Sequence, residues 1–171
     1  MTLRTILTWP DERLRKTATP ITAFASPLAT LIADMFETMY DQSGVGLAAT
    51  QIDIHQRVLV VDCGGDEPRP LALINPEIIE RDGTFFWAEG CLSIPGIRAD
   101  VERSEHIRVQ YHDAQGVEQT LDASGLLSVC IQHEIDHLDG LMYFDRLGPL
   151  ESKAVLNAYR DFLENVEVDV T

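Results

Sequence analysis

Leu28, Leu31, Ile32, Met35, Phe36 and Met39 recur three and four positions apart, the spacing that lines one face of a helix. Ser26-Pro27 ahead of them offers an N-cap and a first helical position that proline tolerates. The run should end before Gly44-Val45-Gly46, because glycine adopts backbone geometries that other residues resist. A second helix is expected to open near Ala123-Ser124, run from Leu126 to about Leu138 and stop at Gly140. A third follows Pro149, with Ala154, Val155, Ala158, Tyr159 and Phe162 on one side. Between the first two the pattern changes: residues 57–62, 71–75, 77–81 and 107–111 are short β-branched or apolar runs, and Asp82-Gly83 and Gln115-Gly116 punctuate them in the manner of hairpin turns. Strands segregated between helices predict an α+β architecture, not a parallel βαβ array. No repeat, low-complexity tract or linker divides the chain, so residues 1–171 are expected to form one domain.

With 45% apolar and 24% charged residues, the composition suits a packed globule and excludes a disordered chain. The longest apolar stretches, such as residues 58–61, are far too short to cross a bilayer. The first ten residues lack the continuous apolar core of a secretory signal, and Asp11-Glu12 follows at once, unlike an organellar transit peptide. The expected compartment is the cytoplasm. Cys63, Cys91 and Cys130 are odd in number and widely separated, which argues for reduced thiols over a disulfide framework. Thirteen basic residues against 28 acidic ones give a net charge of −15, which argues against DNA and anionic membrane as partners.

The sharpest chemical signal is His133-Glu134-Ile135-Asp136-His137, inside the second helix. Residues four apart lie on one helical face, so both imidazoles can reach one cation while Glu134 stands beside it as a general base. The competing reading is two helix-surface histidines that share this spacing by chance. A catalytic site also needs a third protein ligand. The metzincin pattern would place a histidine six residues beyond His137, where Tyr143 stands, and no histidine follows His137 at all. Glu151 and Glu164 remain as candidates, but both fall in the amphipathic third helix. Cys91, in Glu89-Gly90-Cys91-Leu92-Ser93, is the leading candidate, and a plain buried thiol is the alternative. Thiolate with two imidazoles suits zinc or ferrous iron, and the spacing does not choose between them. Cys63 and Cys130 read as core residues, although Cys130, three before His133, is placed to line a pocket.

Three segments taken together, Gly44-Val45-Gly46-Leu47-Ala48-Ala49-Thr50-Gln51, Glu89-Gly90-Cys91-Leu92-Ser93 and Gln132-His133-Glu134-Ile135-Asp136-His137, resemble the three signature motifs of peptide deformylases in order and spacing. Asp11-Glu12-Arg13-Leu14-Arg15 and residues 34–40 resemble the typical bacterial form as well, and the likeness covers nearly the whole chain. The resemblance implies antiparallel sheets packed around a central helix that carries the HExxH motif, with a C-terminal helix. It also implies hydrolysis of the N-terminal formyl group of formyl-methionyl nascent polypeptides. In that scheme Cys91, His133 and His137 hold the metal, and Glu134 is general base and then general acid. The Gln51 side-chain amide and Leu92 backbone N–H face the oxyanion. Val45, Gly46 and Gly90 offer backbone hydrogen bonds to an extended substrate, while Leu126, Val129 and Cys130 line a methionine pocket. Arg98 matches an arginine beside the peptide groove, and a solvated surface arginine is its competing reading. The resemblance points to Fe²⁺, with Zn²⁺, Ni²⁺ or Co²⁺ able to substitute, and a monomer is expected.

One departure changes the expected partners. Some bacterial relatives end in a basic helix that docks on the ribosome, whereas here Lys153 and Arg160 are the only basic residues after Gly148, against Glu151, Asp161, Glu164, Glu167 and Asp169. Contact with the ribosome should therefore be transient or use another surface. Two other readings stay open from sequence: a zinc endopeptidase with a glutamate third ligand, and a closed structural metal site that unfolds on metal removal.

Overall fold

In the computed structural model, which describes residues 2–168, the three expected helices are present and supply part of each core cluster. Helix α1 (Ser26–Asp41) buries Leu28, Leu31, Ile32, Met35 and Met39. Helix α2 (Gly125–Leu138) is buried on every side from Ser128 to Leu138. Helix α3 (Pro149–Val168) turns Val155 and Tyr159 inward with half-buried Leu156 and Phe162, and leaves Ala154 and Ala158 exposed, so its inner face is narrower than the sequence suggests.

Seven strands complete the fold: β1 (Gly46–Ala48), β2 (Val58–Val61), β3 (Leu71–Asp82), β4 (Phe85–Cys91), β5 (Ile94–Arg103), β6 (His106–His112) and β7 (Glu118–Ser124). They form a five-stranded antiparallel sheet in the order β1-β2-β3-β6-β7 and a separate antiparallel pair β4-β5. Strand β2 shows how the layers stack. Successive side chains point to opposite faces, so Leu59 and Val61 join Cys130, Ile131, Ile135 and Leu138 of α2, while Val58 and Val60 join α1. The sheet is thus packed between two helices, and each fully buried Leu, Ile or Val contributes about 1.5–3 kcal/mol. A third cluster sets α3 against β5 through Ile94, Val101, Val155 and Tyr159.

The α+β class and the central helix agree with the sequence reading; several local details differ. Residues 71–75 and 77–81 belong to one strand. Asn75 takes a left-handed φ of 52° before Pro76, and the register with β6 skips between Ile74 and Glu77. The Asn75 side chain bonds both the N–H and the carbonyl of Ile21 at 2.8 Å, and this bulge lets the sheet accommodate a proline. Asp82-Gly83 does not close a hairpin between paired strands. Gly83, at φ 65°, carries the chain from the large sheet to the small one. Gln115-Gly116 does lie in a hairpin, between β6 and β7, where the Gly116 N–H donates to the Asp113 carbonyl at 3.0 Å. Strands β4, β5 and β7 went unforeseen because few of their residues are buried, leaving little apolar signal. On α3, Glu151, Asp161 and Glu164 are exposed; Asp169 of the acidic tail lies outside the described residues. Among the described residues, no helix is long and apolar enough to cross a membrane.

Candidate active site

Helix α2 carries His133 and His137 one turn apart, with ring centroids 4.8 Å apart and the two Nε2 atoms separated by 3.1 Å. The end of β4 brings the Cys91 Sγ to 3.2 Å from His137 Nε2. All three donor atoms lie within 4.8 Å of one another, the one such group found among the described residues. Nitrogen and sulfur donors arranged tetrahedrally around a cation at about 2.0–2.3 Å stand about 3.3–3.6 Å apart, so this triad fits a metal ion. Glu151 and Glu164 are exposed on α3 and have no part in it.

Behind the triad stands a chain of charges, buried from His133 to Asp136 and ending on the exposed Arg146. His133 Nδ1 is 2.7 Å from Glu89 Oε2, which leaves Nε2 to face the other donors. Glu89 receives Arg103 through two bonds of 2.6 and 3.0 Å, and Arg103 reaches Asp136 at 2.7 Å. Arg146 closes the chain on Asp136 at 2.5 and 3.1 Å, so two carboxylates meet two guanidiniums. Burial pushes the Glu89 carboxyl up, but hydrogen bonds from His133 and Arg103 hold it below its usual range. Burial likewise opposes the His133 imidazolium, yet hydrogen bonds to Cys91 and Glu89 raise it well above its ordinary value. His137 moves the opposite way, lowered by burial and by the charge on His133. A dication seated among these donors takes the place of the protons they contest. The Tyr143 ring stacks on His133 at 6.2 Å, which explains an aromatic residue at the position where a third histidine was sought.

Glu134 follows His133 on α2 and faces β1. It is 4% exposed, its Oε2 has no hydrogen-bond partner, and burial raises its carboxyl to about 7. A carboxyl in that range can take and return a proton near neutral pH. Strand β1 reaches it because residue 46 is glycine: a Cβ there would overlap Glu134 Oε1 and fall 2.7 Å from Cys130 Sγ. Gln51 sits in the 3-10 turn Ala49–Ile52. Its Oε1 accepts the Ala48 N–H at 2.9 Å, which aims Nε2 at Ser93 Oγ (3.0 Å) and Cys91 Sγ (3.7 Å). The N-terminal segment braces both sides of this contact, since the Leu7 N–H donates to the Gln51 carbonyl at 2.7 Å and the Trp9 N–H to the Ser93 carbonyl at 2.9 Å.

A cleft of about 700 Å³ opens over these groups. Val45, Gly46, Gln51, Gly90, Cys91, Leu92, Arg98, Leu126, Val129, Cys130, His133 and Glu134 all line it. Of the site residues named from sequence only His137 does not; it lies behind the cleft at 1% exposure, its carbonyl held by Thr50 Oγ1 at 3.1 Å. Arg98 is exposed at the rim, lies along Gly90 and donates to the Ala88 carbonyl at 3.2 Å. Sequence reasoning gave no role to Glu89, Arg103, Asp136 or Arg146. Glu89 and Asp136 lie inside the quoted motifs, but Arg103 and Arg146 carry no local signal, because their partners are set by the fold.

The model of the polypeptide deformylase family matches residues 3–153. Peptide deformylase 1 of Shewanella oneidensis is 50% identical over 155 residues, covering 91% of this chain and 92% of that protein. Peptide deformylase 2 of Xanthomonas campestris is 51% identical over 158 residues, 91% and 93% of the two chains. Among solved structures, a peptide deformylase from Legionella pneumophila superposes with a TM-score of 0.91 at 43% identity, covering 97% of this chain and 98% of that one. The peptide deformylase of Ehrlichia chaffeensis in complex with actinonin gives 0.89 at 34% identity, covering 94% and 98%.

Proposed function

The chain belongs to the peptide deformylase family and is a metallo-hydrolase that removes the N-terminal formyl group of nascent peptides; from that premise we propose which of its residues do so. The single observation that carries the assignment is the unpartnered Glu134 Oε2, buried in the cleft beside the Cys91, His133 and His137 donors. These three hold the metal. We propose Fe²⁺, with Zn²⁺, Ni²⁺ or Co²⁺ as substitutes, since a thiolate and two imidazoles suit them all. When bound, the cation supplies Lewis acidity and makes water a nucleophile near neutral pH.

The chain's own groups do the rest. Glu134 Oε2 accepts the proton that the attacking water loses and returns it to the departing amine, so formate and a free N-terminus leave with the charge balanced. The Gln51 Nε2 and the Leu92 N–H stabilise the oxyanion that forms at the formyl carbon, and loss of one such donor typically costs about 2.7–4 kcal/mol at the transition state. Backbone groups of Val45, Gly46 and Gly90 pair with the extended peptide as an added strand would. The methionine side chain enters between Leu126, Val129 and Cys130, and Arg98 meets the peptide at the rim. The exposed acids of α3 keep the enzyme off ribosomal RNA, so the chain, one catalytic domain acting as a cytoplasmic monomer, meets its substrates by diffusion.

The test is formate release from a formyl-Met peptide by nickel-loaded protein, with an acetyl-Met peptide alongside and a chelator-treated sample as control. Nickel is used because ferrous ion and its thiolate ligand are both open to oxidation. Formate from the metallated sample alone, with the acetyl peptide intact, is expected. Equal cleavage of both peptides, or activity that survives complete metal removal, overturns the proposal.

A further inference from the structure

The pairing of β4 with β5 breaks beside the metal donors. Gly90 lies opposite Arg98 and Cys91 opposite Ile94, so β4 advances one residue where β5 advances four. Pro95, Gly96 and Ile97 have no partner across the pair and form a bulge, with Gly96 at a left-handed φ of 81°. All three line the cleft, next in the chain to Arg98 at its rim. Without ladder bonds the bulge needs support from elsewhere, and α3 supplies it. The Phe162 ring lies against Gly96: a Cβ at residue 96 would fall 2.6 Å from its Cε2 and 3.0 Å from its Cδ2 and Cζ. Tyr159, 2% exposed, anchors that ring by stacking on it at 6.3 Å with an interplanar angle of 16°. The Tyr143 O–H also donates to the Ile97 carbonyl, but at 3.4 Å this is a long bond, and the aromatic contact is the closer support.

We infer that Phe162 is a positioning residue: it holds the bulge of residues 95–97 where the peptide beyond formyl-methionine meets the cleft, so that α3 sets affinity for longer substrates. The inference rests on the reading of the cleft as the seat of an extended peptide. Leu126, Val129 and Cys130, which receive the methionine in that reading, belong to α2 and owe nothing to Phe162. A substrate that ends soon after methionine is therefore bound alike with or without the ring. A longer peptide reaches Arg98 and the bulge. A wall that is already ordered spares the complex the cost of fixing that segment on binding, and a mobile wall does not. Cys91 stays paired with Ile94, and Glu134 lies on α2, so the chemical step is unaffected.

The experiment compares nickel-loaded parent and Phe162→Ala on a formyl-Met dipeptide and a formyl-Met tetrapeptide. In the variant KM for the tetrapeptide is expected to rise about three- to tenfold, while KM for the dipeptide and both kcat values stay within about twofold of the parent. Phe162→Leu, which refills the space beside Gly96, should recover most of the loss. Val155→Ala on the same helix should lower the urea midpoint yet keep the parental ratio of the two KM values. In zinc-loaded protein, backbone order parameters at Gly96 and Ile97 should be about 0.85 in the parent and below about 0.6 in Phe162→Ala. Equal KM shifts for both peptides, a ratio that moves as far in Val155→Ala, or unchanged order parameters would overturn the inference. A parent that releases no formate overturns the reading of the cleft and this inference with it; an active parent whose KM ratio Phe162→Ala leaves unmoved overturns this inference alone.

Discussion

At the scale of single residues, the site depends on how closely groups approach as much as on which groups they are. Gly46 lets β1 come within reach of Glu134 and Cys130, and any larger residue drives the carboxylate from its place. Gly46→Ala is predicted to fold and bind metal but to lose kcat by about 10²-fold, because a misplacement of about 1 Å can cost that much. A kcat within a few-fold of the parent would show that Glu134 position is not limiting. Much of this scale was legible in the sequence: the i, i+4 histidines announce a shared face, and Glu134 stands beside the first of them. The partners of Glu89 and Asp136 were not legible. Arg103 is 14 residues from Glu89 and 33 from Asp136, and no local rule says that these three side chains meet.

At the scale of elements, buried charge ties α2 to β4 and β5. Arg103, on β5, joins Glu89 of β4 to Asp136 of α2 with its side chain only 4% exposed. Arg103→Met leaves two buried carboxylates short of a partner and should destabilise the fold by about 3–5 kcal/mol. A lowered urea midpoint would show it, and unchanged stability would remove the chain of charges from the account. A second tie holds the N-terminal segment to α1. The Asp34 carboxylate accepts from the Arg4 guanidinium at 2.7 and 3.0 Å and from the Thr2 N–H at 2.8 Å, and these bonds hold it below the usual carboxylate range. A depressed folded value means that this stabilisation is present above the unfolded carboxylate range and is lost as pH falls through the folded value. The backbone of residues 2–7 should therefore exchange hydrogen faster in acid, and Asp34→Asn should show fast exchange at neutral pH as well; pH-independent protection would contradict this. Helices α1 and α3 were readable from sequence because each turns an apolar row inward, and α2, buried on every side from Ser128, was readable from its start and stop residues and its i, i+4 histidines. Strands β4, β5 and β7 were not, since a two-stranded pair and a sheet edge bury too little to mark the sequence.

At the scale of the whole molecule, the net charge of −15 and the exposed acids of α3 bear on the proposal that the enzyme meets its substrates without docking on ribosomal RNA. Such a surface is repelled by nucleic-acid phosphates. Cosedimentation with ribosomes should be negligible at physiological salt and unaffected by removing residues 149–171; salt-sensitive binding lost with that segment would contradict it. The α+β class and the place of α2 at its centre followed from the chain's patterns and its resemblance to the family. The way two sheets close over α2 to make one cleft follows from register and the turn at Gly83, which composition does not encode. The account rests on Glu134 as the group that moves the proton, and the direct measurement is formate release by nickel-loaded Glu134→Ala alongside a metal analysis. The predicted result is a fall in kcat of about 10²–10⁴-fold with nickel still bound, and near-parental formate release from the fully metallated variant would contradict it.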